Sequence, residues 1–200
     1  MPTSAKTWVT PVTLEGSRVR LEPLHETHLD DLVRVGKDDS IWRWITGLPM
    51  DEPGLHAWFD QTRANAEAGT EVPFATVDRN SDRAIGSTRF MTITPEHRRL
   101  EIGWTWVGTA FQKTGANREA KLLQLTHAFE TLGANRVWLQ TDKRNERSQK
   151  AIARLGATRE GEMRNERVLA DGHLRTSVIF GITKDEWPEI RDRLLGYLAR

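Results

Sequence analysis

Two hundred residues, 38% of them hydrophobic, match one globular domain better than two. Lys and Arg total 29 against 28 Asp and Glu, so the net charge of +1 lacks the basic excess of a phosphate-backbone binder. Eight Trp and six Phe argue against disorder, and the absence of cysteine excludes disulfides, a thiol nucleophile and Cys-ligated zinc.

Residues 1–16 read as a polar lead-in without the apolar stretch of a signal peptide. No apolar run approaches the roughly 20 residues a membrane span needs. The expectation is a soluble, cytoplasmic protein with a single domain over residues 1–200. In RVRLEPL (18–24), Val19 and Leu21 alternate with charged residues, which predicts a strand. Leu29, Leu32, Val33 and Val35 mark a first helix ending near Gly36. Leu55, Trp58 and Phe59 mark a second from Pro53 to Ala68, stopped by Gly69.

PFATV (73–77), 84–93 and 99–107 predict three strands, the last two joined by a polar bend at Thr94-Pro95-Glu96. Leu122, Leu125, Phe129 and Leu132 form the stripe of a helix over 116–132, closed by Gly133. RVWLQT (136–141) is a strand. Asn145 caps a helix with Ser148, Ala151, Ile152 and Leu155 on one face and Gly156 beyond its end. Residues 158–168 and 174–182 form a strand pair turning at Asp171-Gly172. Thr183-x-x-Glu186 is a capping box before a last helix with Ile190, Leu194, Leu195 and Leu198 on one face. This order implies an α/β (α+β) fold with a central mixed sheet. The strand–helix–strand unit at 99–141 should supply one parallel pair.

No phosphate-binding P-loop, dinucleotide fingerprint or nucleophile elbow is present. His25 and His28 are only three apart and read as solvated histidines rather than metal ligands, so no metal is expected. Gln112-Lys113-Thr114-Gly115-Ala116-Asn117-Arg118 stands out, with Lys121 following. A glycine-bearing loop feeding a helix N-terminus offers unpaired amides, the positive end of the helix dipole and nearby cations, which together suit an anion. Taken alone, the same residues are also explained by a turn at Gly115 and a helix cap at Asn117.

Gln112-x-x-Gly115-x-Asn117 resembles the Q/R-x-x-G-x-G/A motif of the GNAT superfamily of N-acetyltransferases. EIGWTW (101–106), QKTGANREAK (112–121) and NERSQKAIARLGA (145–157) with Glu160-Gly161 are similar to its RimJ/RimL-type, ribosomal-protein-acetyltransferase branch. The predicted element order follows that family over residues 17–183. The resemblance implies a mostly antiparallel sheet with a splayed parallel strand pair, and acetyl-CoA as co-substrate. It also implies transfer to a primary amine, of a protein N-terminus or a small molecule, by direct attack in a ternary complex. Asn117 stands where the family has Gly or Ala, and a short polar side chain there can still cap the helix or reach a phosphate.

By the same resemblance, the backbone of Trp104, Thr105, Trp106 and Val107 pairs with the pantetheine arm. Lys113, Thr114, Gly115, Ala116, Asn117 and Arg118, with Gln112, cradle the pyrophosphate. Asn145 bonds the pantetheine and Ser148 lies near the thioester sulfur, although capping alone accounts for both residues. The tyrosine that many relatives carry seven residues after this Asn is Ile152 here. Either Ser148 protonates the thiolate or no dedicated acid exists, and a thiolate with a free pKa of about 8.5 leaves tolerably well.

Glu101 is the candidate base; strand alternation sets it with Gly103, opposite Ile102 and Trp104. Its alternative reading is a solvated charge paired with Arg99 or Lys121. Glu160, Glu162 and Glu166 are fallbacks. Trp42 and Trp44 are candidates for an aromatic acceptor wall or for core filling. His127 reads as a packed structural histidine. A non-catalytic acyl-CoA-binding sensor is the rival function. RNA binding through residues 136–167 is disfavoured by interspersed acids, and monomer and homodimer are both open.

Overall fold

The computed structural model describes residues 8–198; residues 1–7 of the expected lead-in lie outside the described residues. Eight strands form one sheet in the order β1-β2-β3-β4-β5-β6-β8-β7. In chain order these are β1 (Leu14–Glu15), β2 (Val19–Pro23), β3 (Val72–Asp78), β4 (Arg83–Thr94), β5 (Arg99–Val107), β6 (Arg136–Asp142), β7 (Thr158–Val168) and β8 (Leu174–Thr183). All pairings are antiparallel except β5 with β6, the parallel pair expected from the helical crossover.

Helices cover both faces. On one side lie α1 (Leu29–Gly36), α2 (Asp39–Trp42) and α3 (Glu52–Ala68), whose Leu32, Trp42, Leu55, Trp58 and Phe59 pack with Ala75, Val77 and Trp106 of the sheet. On the other lie α4 (Ala116–Thr126), α5 (Glu146–Leu155) and α6 (Trp187–Leu198), whose Leu125, Ile152, Leu155, Ile190 and Leu194 pack with Phe74, Phe90, Ile102 and Val137. Two-sided coverage explains why β3 is buried almost throughout and why its sequence shows little polar alternation.

Several local expectations need correction. The stripe over 116–132 predicts one continuous helix, but α4 ends at Thr126 and runs into a π-type turn over His127–Thr131. His127 is packed there, stacked 6.2 Å from Phe90. Glu186 does reach back to the Thr183 N–H (2.7 Å) and hydroxyl (2.8 Å), yet the helix itself begins at Trp187. Leu195 is exposed rather than on the buried face of α6. Short α2 and two-residue β1 carry too few residues for a periodic signal.

Two features of β5 set up the site. It pairs with β6 only through Arg99–Arg136, Leu100–Val137 and Glu101–Trp138; beyond Glu101 the two strands part. The β5 edge from Ile102 to Val107 therefore faces an opening rather than a neighbouring strand. Trp104 adopts a left-handed φ of +48°, and the register with β4 shifts between Ser87 and Arg89. This bulge costs backbone energy in a non-glycine residue but re-aims the side chains. Expected opposite Glu101, Trp104 instead packs with Trp106 toward the α1–α3 side, and Thr105 turns toward α4.

Candidate active site

The parting of β5 and β6 opens a cavity of about 610 Å³ lined by residues from both strands, the loop before α4, α5, β7, β8 and the segment after α2. At one end Gly115, with φ +94°, and Lys113, with φ +64°, bend the loop so that it runs directly into α4. Glu119 N–H bonds the Gly115 carbonyl at 3.0 Å, leaving the amides of Asn117 and Arg118 without an intrahelical acceptor. The Thr114 hydroxyl donates to the Phe111 carbonyl (2.7 Å) and Gln112 Nε2 to the Val107 carbonyl (3.2 Å), fixing the loop to the end of β5.

Gln112 Oε1 accepts from Arg147 of α5 at 2.7 Å, tying both walls together. Lys113, Arg118 and, from distant segments, Arg18, Arg147 and Arg154 surround this end with positive charge. The last three were missed because no local motif joins them. Ala116 is buried in the core and is not on the wall, whereas Gln112, Lys113, Thr114, Gly115, Asn117 and Arg118 are.

The middle of the cavity is walled by Trp104, Thr105, Trp106 and Val107 on one side and by Asn145, Ser148 and Ile152 on the other. Asn145 Oδ1 accepts from the Ser148 N–H at 3.0 Å, so the expected cap is present and both residues also line the cavity. Lys121 lies on α4 beneath β5, fully buried. Its Nζ donates to Thr105 Oγ1 (2.7 Å), Thr88 Oγ1 (2.9 Å) and Gln124 Oε1 (2.9 Å). These acceptors are all neutral, and burial lowers its pKa to about 7. Lys121 therefore braces the β5 bulge through Thr88 and Thr105, and it also lines the cavity.

At the far end Glu101 is 2% exposed. It pairs with neither Arg99 nor Lys121; its Oε2 accepts from the Thr92 hydroxyl at 2.9 Å. Burial pushes its carboxyl above the ordinary value, against opposing hydrogen bonds from Thr92 and Gln140 and the charge of Arg167. A Cβ on neighbouring Gly103 would come 3.1 Å from Glu101 Oε1 and 2.6 Å from Met91 Sδ, so glycine keeps the approach to the carboxylate open. Among the fallback acids, Glu160 is bound by Arg136 and Glu162 by Lys143 (2.9 Å) and Arg159. Glu166 accepts from the Ser177 hydroxyl at 2.8 Å and lies close enough to Glu101 to act on its charge.

The two candidate tryptophans separate. Trp44 is on the cavity wall between the guanidinium groups of Arg43 (4.6 Å) and Arg144 (5.1 Å). Trp42 is fully buried, donates to the Gly36 carbonyl at 2.7 Å and packs 5.1 Å from Trp106, so it is core and not part of an acceptor wall. An anion cradle, an open strand edge and a buried basic carboxylate thus share one cavity, an arrangement suited to holding a long anionic donor against a proton-releasing acceptor.

Residues 18–158 match the family described as the acetyltransferase (GNAT) domain. A candidate acetyltransferase from T. thermophilus is 38% identical, with a TM-score of 0.85 over 96% of this chain and 99% of that one. The candidate ribosomal N-acetyltransferase YdaF of Bacillus subtilis is 32% identical over 46% of this chain, and the match spans about half of that protein (49%). Mycobacterium smegmatis RimJ, solved in complex with CoA-disulfide, shares the fold at a TM-score of 0.79 and 22% identity, over 94% of this chain and 95% of that one.

Proposed function

This chain belongs to the GNAT acetyltransferase family, and from that premise we propose that it moves an acetyl group from acetyl-CoA to a primary amine, both substrates bound together. The reading rests above all on one observation: β5 and β6 part after three residue pairs. The free β5 edge then opens into the cavity that the Gly115 loop and Glu101 also line. The presence of CoA-disulfide in the related RimJ supports the choice of donor.

The donor site fits coenzyme A by its own chemistry. The loop amides of Asn117 and Arg118, with Arg18, Lys113 and Arg147, suit a pyrophosphate at a helix N-terminus. The β5 edge turned away from β4 over Ile102–Trp106, which no strand pairs, suits the amide-bearing pantetheine arm, which can add to a strand edge as a peptide would. Bound acetyl-CoA supplies an activated acyl group on a sulfur leaving group.

Glu101 takes the proton that the amine must lose, and its raised pKa matches it better to that task than an ordinary surface carboxylate. Thr92 holds the carboxylate in place. Asn145 and Ser148 line the middle of the cavity, where they can hydrogen-bond the pantetheine and steady the departing sulfur. Apolar Ile152 donates no proton, and the low basicity of a thiolate makes a dedicated acid dispensable.

Free-thiol release from acetyl-CoA across a panel of primary amines tests this reading. Amine-dependent release is expected. Tight acetyl-CoA binding without release on any amine would overturn catalysis in favour of a non-catalytic acyl-CoA-binding module.

A further inference from the structure

Beyond Glu101 the cavity holds a buried cation that the proposed chemistry leaves unused. Arg167 of β7 and Arg175 of β8 are cross-strand partners in the hairpin that closes the sheet, and both line the cavity. Arg175 is 6% exposed, yet its Nε has no hydrogen-bond partner, and no ion pair among the described residues includes it. Burying a guanidinium without a bonded counter-ion is costly.

The acids nearby are already held by other donors. Arg144 binds Asp142 through Nε (3.0 Å) and an NH2 group (2.8 Å), with the Arg144 amide adding a third bond (2.8 Å). Glu166 is held by Ser177 (2.8 Å) and more loosely by Arg167 at 3.4 Å, and Glu101 is held by Thr92. Burial and the neighbouring Arg167 lower the pKa of Arg175, against the opposing charges of Glu166, Asp142 and Glu101, none of which hydrogen-bonds it. Gln140 Oε1, on the same wall, is likewise buried without a partner and offers an acceptor to a polar ligand.

Resting on the acetyl-transfer reading, we infer that the acceptor is an amine that also carries a carboxylate. Arg175 and Arg167 hold the carboxylate, and the amine is turned toward Glu101. The forked guanidinium groups suit a planar carboxylate, and the acids around Glu101 favour the ammonium form on arrival. Trp44, whose ring packs against the Arg43 and Arg144 guanidinium groups, lines the same cavity. A small amino acid satisfies these requirements directly. A polypeptide N-terminus with an acidic side chain offers the same chemistry from another source.

The test compares kcat/KM for free amino acids, their carboxamides, and short peptides with or without an acidic residue near the free amine. Wild type, R175Q, R167Q and R175K are each assayed alongside thermal unfolding with acetyl-CoA, which checks folding and donor binding. The expected result is a preference of about 100-fold or more for the free acid over its carboxamide, because the carboxamide leaves the cations unpaired. That ratio should collapse in R175Q and R167Q, chiefly through acceptor KM, and recover in part in R175K, which keeps the charge without the fork. Preference confined to acidic peptides would assign the carboxylate to a polypeptide. Equal use of acid and carboxamide, with acetyl-CoA binding intact, would overturn this inference alone. Failure of acetyl-CoA to bind, or of any amine to be acetylated, would instead overturn the acetyl-transfer reading.

Discussion

At the end of the cavity proposed for the donor, backbone amides and a strand edge come from the contiguous stretch 102–118, with the cations Arg18, Lys113, Arg118, Arg147 and Arg154 around them. The acceptor end is built from side chains that converge from distant segments: Trp44, Glu101, Gln140, Arg167 and Arg175. Both ends bury a cation, and the two are treated differently. Lys121, behind the donor edge, has three oxygen acceptors for its three protons. Arg175, at the acceptor end, keeps an unpartnered Nε. A fully satisfied buried cation stiffens the wall it sits in, whereas an unsatisfied one is left for something that arrives. The donor end is thus a preformed scaffold and the acceptor end an incomplete one.

The largest effect is expected from neutralising Glu101, the proposed base. E101Q should lower kcat/KM by roughly 100-fold or more and leave acetyl-CoA affinity nearly unchanged. Because burial raises the Glu101 pKa, the acidic limb of the wild-type pH–rate profile should lie above the usual carboxylate range and vanish in E101Q. A profile unchanged by the substitution would remove Glu101 from the chemistry.

Lys121 tests the donor wall through stability. Its folded pKa of about 7 lies below its ordinary 10.5, so between those values the unfolded chain binds the extra proton. Stability should therefore rise with pH across that window, and the burial penalty is fully present below about pH 7. K121M lacks this dependence. Urea unfolding at pH 7 and pH 9.5 should show wild type gaining a few kcal/mol relative to K121M. Parallel pH dependences in the two proteins would mean that Lys121 carries no desolvation penalty as a buried cation.

The same contrast explains what could be read from the sequence. The Gln112–Arg118 loop and the Asn145 cap are local stretches, the cap reached by capping rules and the loop's role by the family resemblance, while the parallel β5–β6 pair follows from the strand–helix–strand order. The left-handed Trp104 is different. Alternation through EIGWTW sets it opposite Glu101, and only the bulge in register with β4 turns it over. Trp42 and Trp44 look equivalent two residues apart, yet α2 ends at Trp42, burying that ring while Trp44 reaches the cavity. Arg18, Arg147 and Arg154 join the anion cradle only through tertiary packing. The Arg167–Arg175 pair depends on a three-residue turn over 170–172, closed by the Leu169 N–H on the His173 carbonyl; a two-residue turn at Asp171-Gly172 sets 167 opposite 176 instead.

Thermal unfolding of wild type and G115A reports whether the Gly115 loop and the free β5 edge hold acetyl-CoA as proposed. Alanine at φ +94° is strained although its Cβ meets only ordinary van der Waals contact, the nearest atom being Arg18 Cδ at 3.6 Å. Acetyl-CoA and CoA at about 100 times Kd should add roughly 2.7 kcal/mol to wild type, a rise in Tm on the order of 5–10 °C. ATP should give much less, and the acetyl-CoA shift should be clearly reduced in G115A. No shift with acetyl-CoA at millimolar concentration, or an equal shift in both proteins, would contradict the account.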